Sequence, residues 1–564
     1  MKIPMASSHA PSFLRTSYLL LRTFLPSLLA LSCYGQPQKT FTRQDSLRGT
    51  NTPERAWWDV KQYNLNIRVD VTDRSVRGYN QVTFATRKPG TGKIMQIDLQ
   101  PPMELEKVED GTDDRRPLPF RRDGNVYYID FGNKKFDTGT RQSVDLYFKG
   151  KPRAAVQAPW DGGWVWATDK KGRPWLTVAC QGLGASVWYP CKDYQADEPD
   201  EGALVAVRVP DTLVAVANGR LLDKTPAGPG EVLFAWQVKS PINNYNLVPY
   251  IGKYVNWTET YAGEKGPLAC SYWVLDYNLE KAKEQFAQVP RMLKALEYWF
   301  GPYPFYEDGY KLVESPHLGM EHQSAIAYGN GYRNGYLGVD LSGTGWGLKW
   351  DYIIVHESGH EWFGNNITTK DIADMWVHEG FTDYSETLFT GYYFGQKAAD
   401  AYVQGLRHKI ANDRPVIGHY GVNEEGSPDM YFKGANLVHL LRQLVADDEK
   451  FRQLLRGLNK TFYHQTVTTG QVEAYLSKES GKDFSKVFDQ YLRTAQVPVL
   501  ELKAAEGFLD FRWTNCIDGF NMPVKLTNGQ WLQPTPSWQK TEWKNAGIKS
   551  VTADPNFYIK VKKG

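Results

Sequence analysis

The sequence predicts a multidomain α+β protein: an N-terminal antiparallel β-domain, a mostly helical central domain and a small C-terminal β-domain. Three observations predict it. Apolar residues alternate with polar ones from Tyr63 to Val71 (Tyr63, Leu65, Ile67, Val69, Val71), as in a half-buried strand, and short β-prone runs continue to about Tyr254. After Thr258 the apolar spacing lengthens to three and four residues, the helical period. Beyond Val497 short strands return, with Asn528-Gly529 as a hairpin turn between Val524-Lys525-Leu526 and Trp531-Leu532.

The chain has 564 residues, 41% hydrophobic and 23% charged, which suits several globular cores. With 66 basic and 63 acidic residues the formal net charge is +3, which gives no case for nucleic acid as a partner. Residues 1–35 read as an export signal. Lys2, Arg15 and Arg22 precede an apolar stretch, Thr23 to Leu31, too short to span a bilayer. Cleavage after Ser32 would leave Cys33 at the new N-terminus, where it could carry a lipid and so provide the one expected link to a membrane. Ala30 stands where a lipoprotein box usually has Leu. The expected location is therefore outside the cytoplasm: periplasmic, cell-surface or secreted. An exported chain permits disulfides, and Cys180 and Cys191 could close a small loop, although free buried thiols fit equally well.

In chain order, residues 36–52 are polar and expected to form a flexible leader. Residues 53–257 then carry the β-runs, among them Val82 and Phe84, Val126 to Ile129, and Val144, Leu146 and Phe148. Turn clusters such as Pro226-Ala227-Gly228-Pro229-Gly230 separate them. Residues 258–496 form the central domain. Leu279 to Phe300 reads as an amphipathic helix with Phe286, Val289, Leu293, Leu296 and Phe300 on one face, and Pro290 is placed to kink or split it. Residues 497–564 form the last domain.

The chemistry concentrates between Trp350 and Glu386. His356-Glu357-Ser358-Gly359-His360 is an HExxH pattern. On a helix the two histidines, four apart, share a face and can present imidazoles to one Zn²⁺, while Glu357 lies one step round, within reach of a water beside it. A catalytic zinc takes three protein ligands and keeps one position open. Glu379, with 18 residues between it and His360, is the third candidate. The first helix is expected to end at Gly364-Asn365-Asn366, and a second to begin near Ala373. On that second helix Glu379, Asp383 and Glu386 share a face. Asp383 is the first candidate to fix the far nitrogen of a zinc histidine, with Glu386 its rival. Five of the ten histidines, His317, His322, His356, His360 and His378, fall in this part of the chain, of which three are expected only to pack or hydrogen-bond.

His356 to Asn365 followed by Trp376-Val377-His378-Glu379-Gly380-Phe381 resembles the HExxH-x18-E site of the aminopeptidase N family of zinc metallopeptidases, which includes leukotriene hydrolase. The resemblance implies a thermolysin-like catalytic domain behind an N-terminal β-domain, one zinc per chain and peptide substrates with a free N-terminus. Further motifs extend it. Gly319-Met320-Glu321 is similar to the family's Gly-x-Met-Glu-Asn strand, which assigns Glu321 to the substrate's α-amine and Gly319 and Met320 to the cleft edge. Here Gly319 adjoins Met320 directly and His322 stands where Asn is usual. Gln181 resembles the family glutamine that contacts the same end of the substrate. Tyr431, in Tyr431-Phe432-Lys433-Gly434, resembles the family's transition-state tyrosine. The family often carries a large helical C-terminal domain, and this sequence is expected to lack it. An endopeptidase, an epoxide hydrolase on the same site and a catalytically silent scaffold are the alternatives. The Gly-Met-Glu segment argues against the first, nothing positive favours the second, and the intact ligands, base and tyrosine argue against the third.

Overall fold

The computed structural model describes residues 40–505, 507–543 and 551–564. The expected export segment and Cys33 lie outside them. Thr42–Gly564 forms one compact unit.

A seven-stranded sheet dominates the N-terminal region. Its central strand, Trp58–Asp70, buries Tyr63, Leu65, Ile67 and Val69 on one face, as the alternation requires. Ser75–Thr86 pairs with it antiparallel, but Ala203–Pro210 pairs with it in parallel, Tyr63 lying opposite Ala203. The expected purely antiparallel domain is thus mixed. More than a hundred residues separate these two strands, so a crossover is available, whereas a short hairpin loop allows only antiparallel pairing. The leader also differs from expectation. From Arg43 on it is ordered as a helix, Arg43–Gly49, closed by a Thr42–Asp45 capping box. Arg48 pairs with Asp193 at 2.5 Å, and the fully buried Arg55 pairs with Asp98 at 2.6 Å. Charge pairing, with the buried Leu47, pins this short segment.

The strand Tyr254–Gly263 pairs along its whole length with Gly266–Leu275, in a five-stranded sheet completed by Tyr310–Glu314, Ile326–Tyr328 and Gly319–Met320. The 257/258 boundary therefore falls inside a strand of the central sheet. Leu279–Phe286 and Val289–Phe300 are separate helices. Pro290 has no N–H to continue the first helix but suits the opening turn of the second. Among the described residues no helix is long and apolar enough to cross a membrane.

Three helices build the site. Tyr352–Gly359 starts at Asp351, whose carboxylate accepts from the backbone N–H of Ile353 and Ile354. It ends at Gly359, shorter than expected; tight turns continue the coil, and His360 at its end keeps helical angles (φ −62°, ψ −20°). The second, Trp376–Phe394, is buried on all sides as far as Thr390. The third, Phe432–Val445, meets it at two glycines. A Cβ on Gly380 would sit 3.0 Å from Gly434 Cα, and one on Gly434 would sit 2.8 Å from Gly380 Cα. This close contact brings Tyr431, just ahead of the third helix, to the wall that carries Glu379.

The C-terminal strands form a four-stranded sheet that shares the central domain's core: Leu500, Trp513 and Phe520 pack in one cluster with Leu440 and Tyr491. The hairpin between Val524–Lys525 and Trp531–Leu532 turns at Asn528-Gly529, with Gly529 at φ +89°.

Candidate metal centre and active-site cleft

One cavity of about 750 Å³ is lined by all nine residues singled out in the sequence: Gln181, Gly319, Met320, Glu321, His356, Glu357, His360, Glu379 and Tyr431. One ligand atom from each of His356, His360 and Glu379 lies within 4.8 Å of the others. Glu379 Oε2 is 3.3 Å from His360 Nε2 and 3.7 Å from His356 Nε2. That oxygen is buried and has no hydrogen-bond partner among the described residues, which suits a cation ligand rather than a structural carboxylate.

The far ring nitrogens are committed. His356 Nδ1 donates to Glu386 Oε1 at 2.7 Å, and Glu386 in turn accepts from the Tyr402 hydroxyl at 2.6 Å. His360 Nδ1 donates to the Phe363 carbonyl at 3.0 Å. Both histidines thus hold the tautomer whose Nε2 lone pair faces Glu379. Two nitrogens and one carboxylate oxygen, with room in the cleft for a fourth position, fit Zn²⁺. Burial alone would lower the His356 imidazole, yet the surrounding carboxylates of Glu379, Glu386 and Glu357 hold it well above its ordinary value. The same field favours a divalent cation.

Glu386, not Asp383, therefore orients the zinc-site histidine. Asp383 Oδ1 stands 3.6 Å from His356 Nδ1, beyond hydrogen-bond range. Burial and the charge of Glu386 push the Asp383 carboxyl well above the usual range.

Glu357 is 8% exposed, and burial pushes its carboxyl up to about 7; a bound cation acts in the opposite direction. Gly319 faces it closely: a Cβ there would lie 2.4 Å from Glu357 Oε1. The strand Gly319–Met320 thus passes directly over the base because its first residue is glycine. Next along, Glu321 Oε1 accepts from Gln181 Nε2 at 2.6 Å and from the Tyr245 hydroxyl at 2.9 Å. Burial pushes the Glu321 carboxyl up, so its ionised form gains from a cationic partner. Burial, then the charges of Glu379 and Glu425, raise the Tyr431 hydroxyl well above its ordinary value, so it remains a proton donor at neutral pH.

Tyr245 and Glu425 were not foreseen. Tyr245 lies in a short 3₁₀ turn of the N-terminal region. Glu425 lines the cleft beside Gly182, 3.6 Å from where a Cβ on that glycine would be. No motif marks either residue. His322 is fully buried, with Nδ1 on the Tyr250 hydroxyl at 2.7 Å, and does not line the cleft. His378 accepts from the Thr369 N–H. Cys180, Cys191, Cys270 and Cys516 are all free thiols, so the Cys180–Cys191 bridge is not formed.

An HExxH helix and a downstream glutamate on a second helix, set beside a sheet edge in a shared cleft, define a zinc metallopeptidase class of site. Residues 285–491 match the family model of the peptidase family M1 domain. Aminopeptidase B of Mus musculus is 26% identical over 407 residues, 69% of this chain and 56% of that protein. Leukotriene A-4 hydrolase of Xenopus laevis is 24% identical over 454 residues, 75% of this chain and 68% of that protein. The chain spans about half the length of the aminopeptidase B relatives it matches. Among solved structures, a mutant M1 zinc metallopeptidase from Deinococcus radiodurans bound to Tyr-Ser-Ala shares the fold. Its TM-score is 0.66 at 20% identity, over 79% of this chain and 97% of that one.

Proposed function

We propose that this chain is a zinc aminopeptidase that hydrolyses the first peptide bond of peptides with a free N-terminus. The observation that carries the proposal is the placement of Glu321. It is held by Gln181 and Tyr245 in the same cleft as the His356–His360–Glu379 set and Glu357. A carboxylate there accepts the α-ammonium and fixes the scissile bond one residue in.

His356, His360 and Glu379 would hold the zinc, which would supply Lewis-acid polarisation of the scissile carbonyl and of the attacking water. Glu357 takes the water's proton and returns it to the leaving amine. The Tyr431 hydroxyl donates a hydrogen bond to the oxygen on which negative charge develops. The test is metal content alongside cleavage of aminoacyl fluorogenic substrates. We expect about one zinc per chain, loss of activity on chelation and recovery on adding Zn²⁺. His356→Ala and Glu379→Ala should lose the metal. Wild-type activity in metal-free protein would end the proposal.

Tyr431→Phe should lower kcat by about 10²–10³, the scale of one lost oxyanion donor, with little change in KM. Steady-state kinetics on one peptide checks this, and a change confined to KM would reassign Tyr431 to substrate positioning.

The proposal also places the mature chain outside the cytoplasm, beginning near Cys33 or Gln36, on the strength of the basic and then apolar N-terminal stretch. Mass spectrometry of the native N-terminus tests it. An acylated Cys33 establishes a membrane anchor, and an intact Met1 rejects export.

A further inference from the structure

A second cavity, of about 540 Å³, shares no lining residue with the cleft. It lies between the strands Arg220–Pro226 and Glu231–Val238 on one side and Tyr254–Gly263 and Gly266–Leu275 on the other. Trp236 and Trp273 meet edge to face within its lining, their ring centres 5.7 Å apart. Arg220 and Lys224 are exposed lining residues, and Lys311 is a buried one.

Lys311 is the unusual member. The residue is 3% exposed, and its ammonium donates to the carbonyls of Gly219 at 2.6 Å and Ser324 at 2.9 Å. It also sits 5.0 Å from the centre of the Trp236 ring. An ammonium has three N–H groups, and two are used. Among the described residues no carboxylate comes within 4.0 Å of it, a trait it shares with the buried Lys433, whereas the buried Arg55, Lys192 and Arg442 each have one. Buried charges are ordinarily paired. Asp308 also lines the cavity, but its two oxygens accept from the backbone N–H groups of Lys239 and Ser240. Burial pulls the Lys311 ammonium down to about 7, and a bound anion would act against that shift.

We propose that this cavity binds a small aromatic carboxylate, with the carboxylate on Lys311 and the ring against Trp273. Arg220, Lys224 and the protonated form of Lys311 supply the positive charge, while Asp308 is turned to the Lys239 and Ser240 N–H groups. The half-buried Trp273, backed by Trp236, supplies flat apolar area, and edge-to-face or offset contacts suit a further ring. Lys224 at the rim favours the approach of an anion. A site of this kind holds its ligand apart from the cleft, so the proposal stands whether or not the chain is a peptidase.

The experiment uses the zinc-loaded protein and N-acetyl-L-phenylalanine, an aromatic carboxylate without an α-ammonium, followed by calorimetry or saturation-transfer NMR. The neutral analogue N-acetyl-L-phenylalaninamide is run beside it. We expect saturable binding of the acid and binding of the amide weaker by about tenfold or more, the scale of a charge-assisted hydrogen bond. Lys311→Met should weaken the acid to the level of the amide. Lys311 also ties two carbonyls, so two exposed-site variants keep the test open if that protein fails to fold. Lys224→Glu should weaken the acid several-fold, and Thr258→Trp, which narrows the cavity from an exposed lining position, should abolish binding. Equal binding of acid and amide, no binding of the acid, or acid binding unchanged in both exposed-site variants would overturn the proposal.

Discussion

Glu357→Gln should keep its zinc and lose turnover by about 10²–10⁴-fold, the contribution of a positioned general acid–base. The amide preserves size and shape, so the His356–Glu379 geometry has no reason to move. It cannot accept the water's proton, and kcat and kcat/KM should fall together because the lost interaction exists only in the transition state. The structure adds a second way to the same defect. Gly319 leaves no space for a side chain beside Glu357, a Cβ there lying 2.4 Å from Oε1. Gly319→Ala should therefore displace the carboxylate and slow turnover while leaving metal content unchanged. Atomic absorption paired with single-turnover kinetics separates these outcomes. A zinc-loaded Glu357→Gln protein at near wild-type rate would remove Glu357 from the mechanism.

The candidate metal ligands were legible because a helix converts linear spacing into geometry: histidines four positions apart share one face, whatever the surrounding fold. The choice between Asp383 and Glu386 was not legible. Both point to the same side of one helix, and which carboxylate meets His356 Nδ1 depends on how two helices pack, with Tyr402 gripping Glu386 from a third. Tyr245 reaches Glu321 from a 3₁₀ turn and Glu425 lines the cleft from a loop, where no periodicity exists to read. Alternation identified the strand Trp58–Asp70 but said nothing of its parallel partner, because both pairings bury every second residue. The leader misled for a related reason. Its anchors, Arg48 on Asp193 and Leu47 against Val126 and Tyr128, join residues far apart in the chain, so locally the segment looks only polar. Pro290, by contrast, acts on its own neighbours, and the split it implied between two helices is present.

N-acetylation of a good peptide substrate should reduce its cleavage by roughly two to four orders of magnitude. Glu321 is 3% exposed, and both Gln181 and Tyr245 donate to its Oε1. Those bonds hold the carboxylate in place, but neither donor carries a charge. An α-ammonium entering the cleft supplies the missing cation through a charge-assisted hydrogen bond. Acetylation removes that cation, leaves Glu321 buried and unpaired, and adds bulk where the substrate should end. Breaking a buried pair by removing one partner costs about 3–5 kcal/mol, which sets the rate range. Glu321→Ala should slow free-amine peptides severely while narrowing their advantage over acetylated ones, because no buried charge then remains to be satisfied. Gln181→Ala should have the same sign and a smaller effect, since it loosens the carboxylate without removing it. One peptide series, free and acetylated, followed by mass spectrometry, reads both rate and cut position. Internal cleavage of acetylated peptides at the rate of the free ones would show that Glu321 does not read the terminus, and an endopeptidase would then describe the site better.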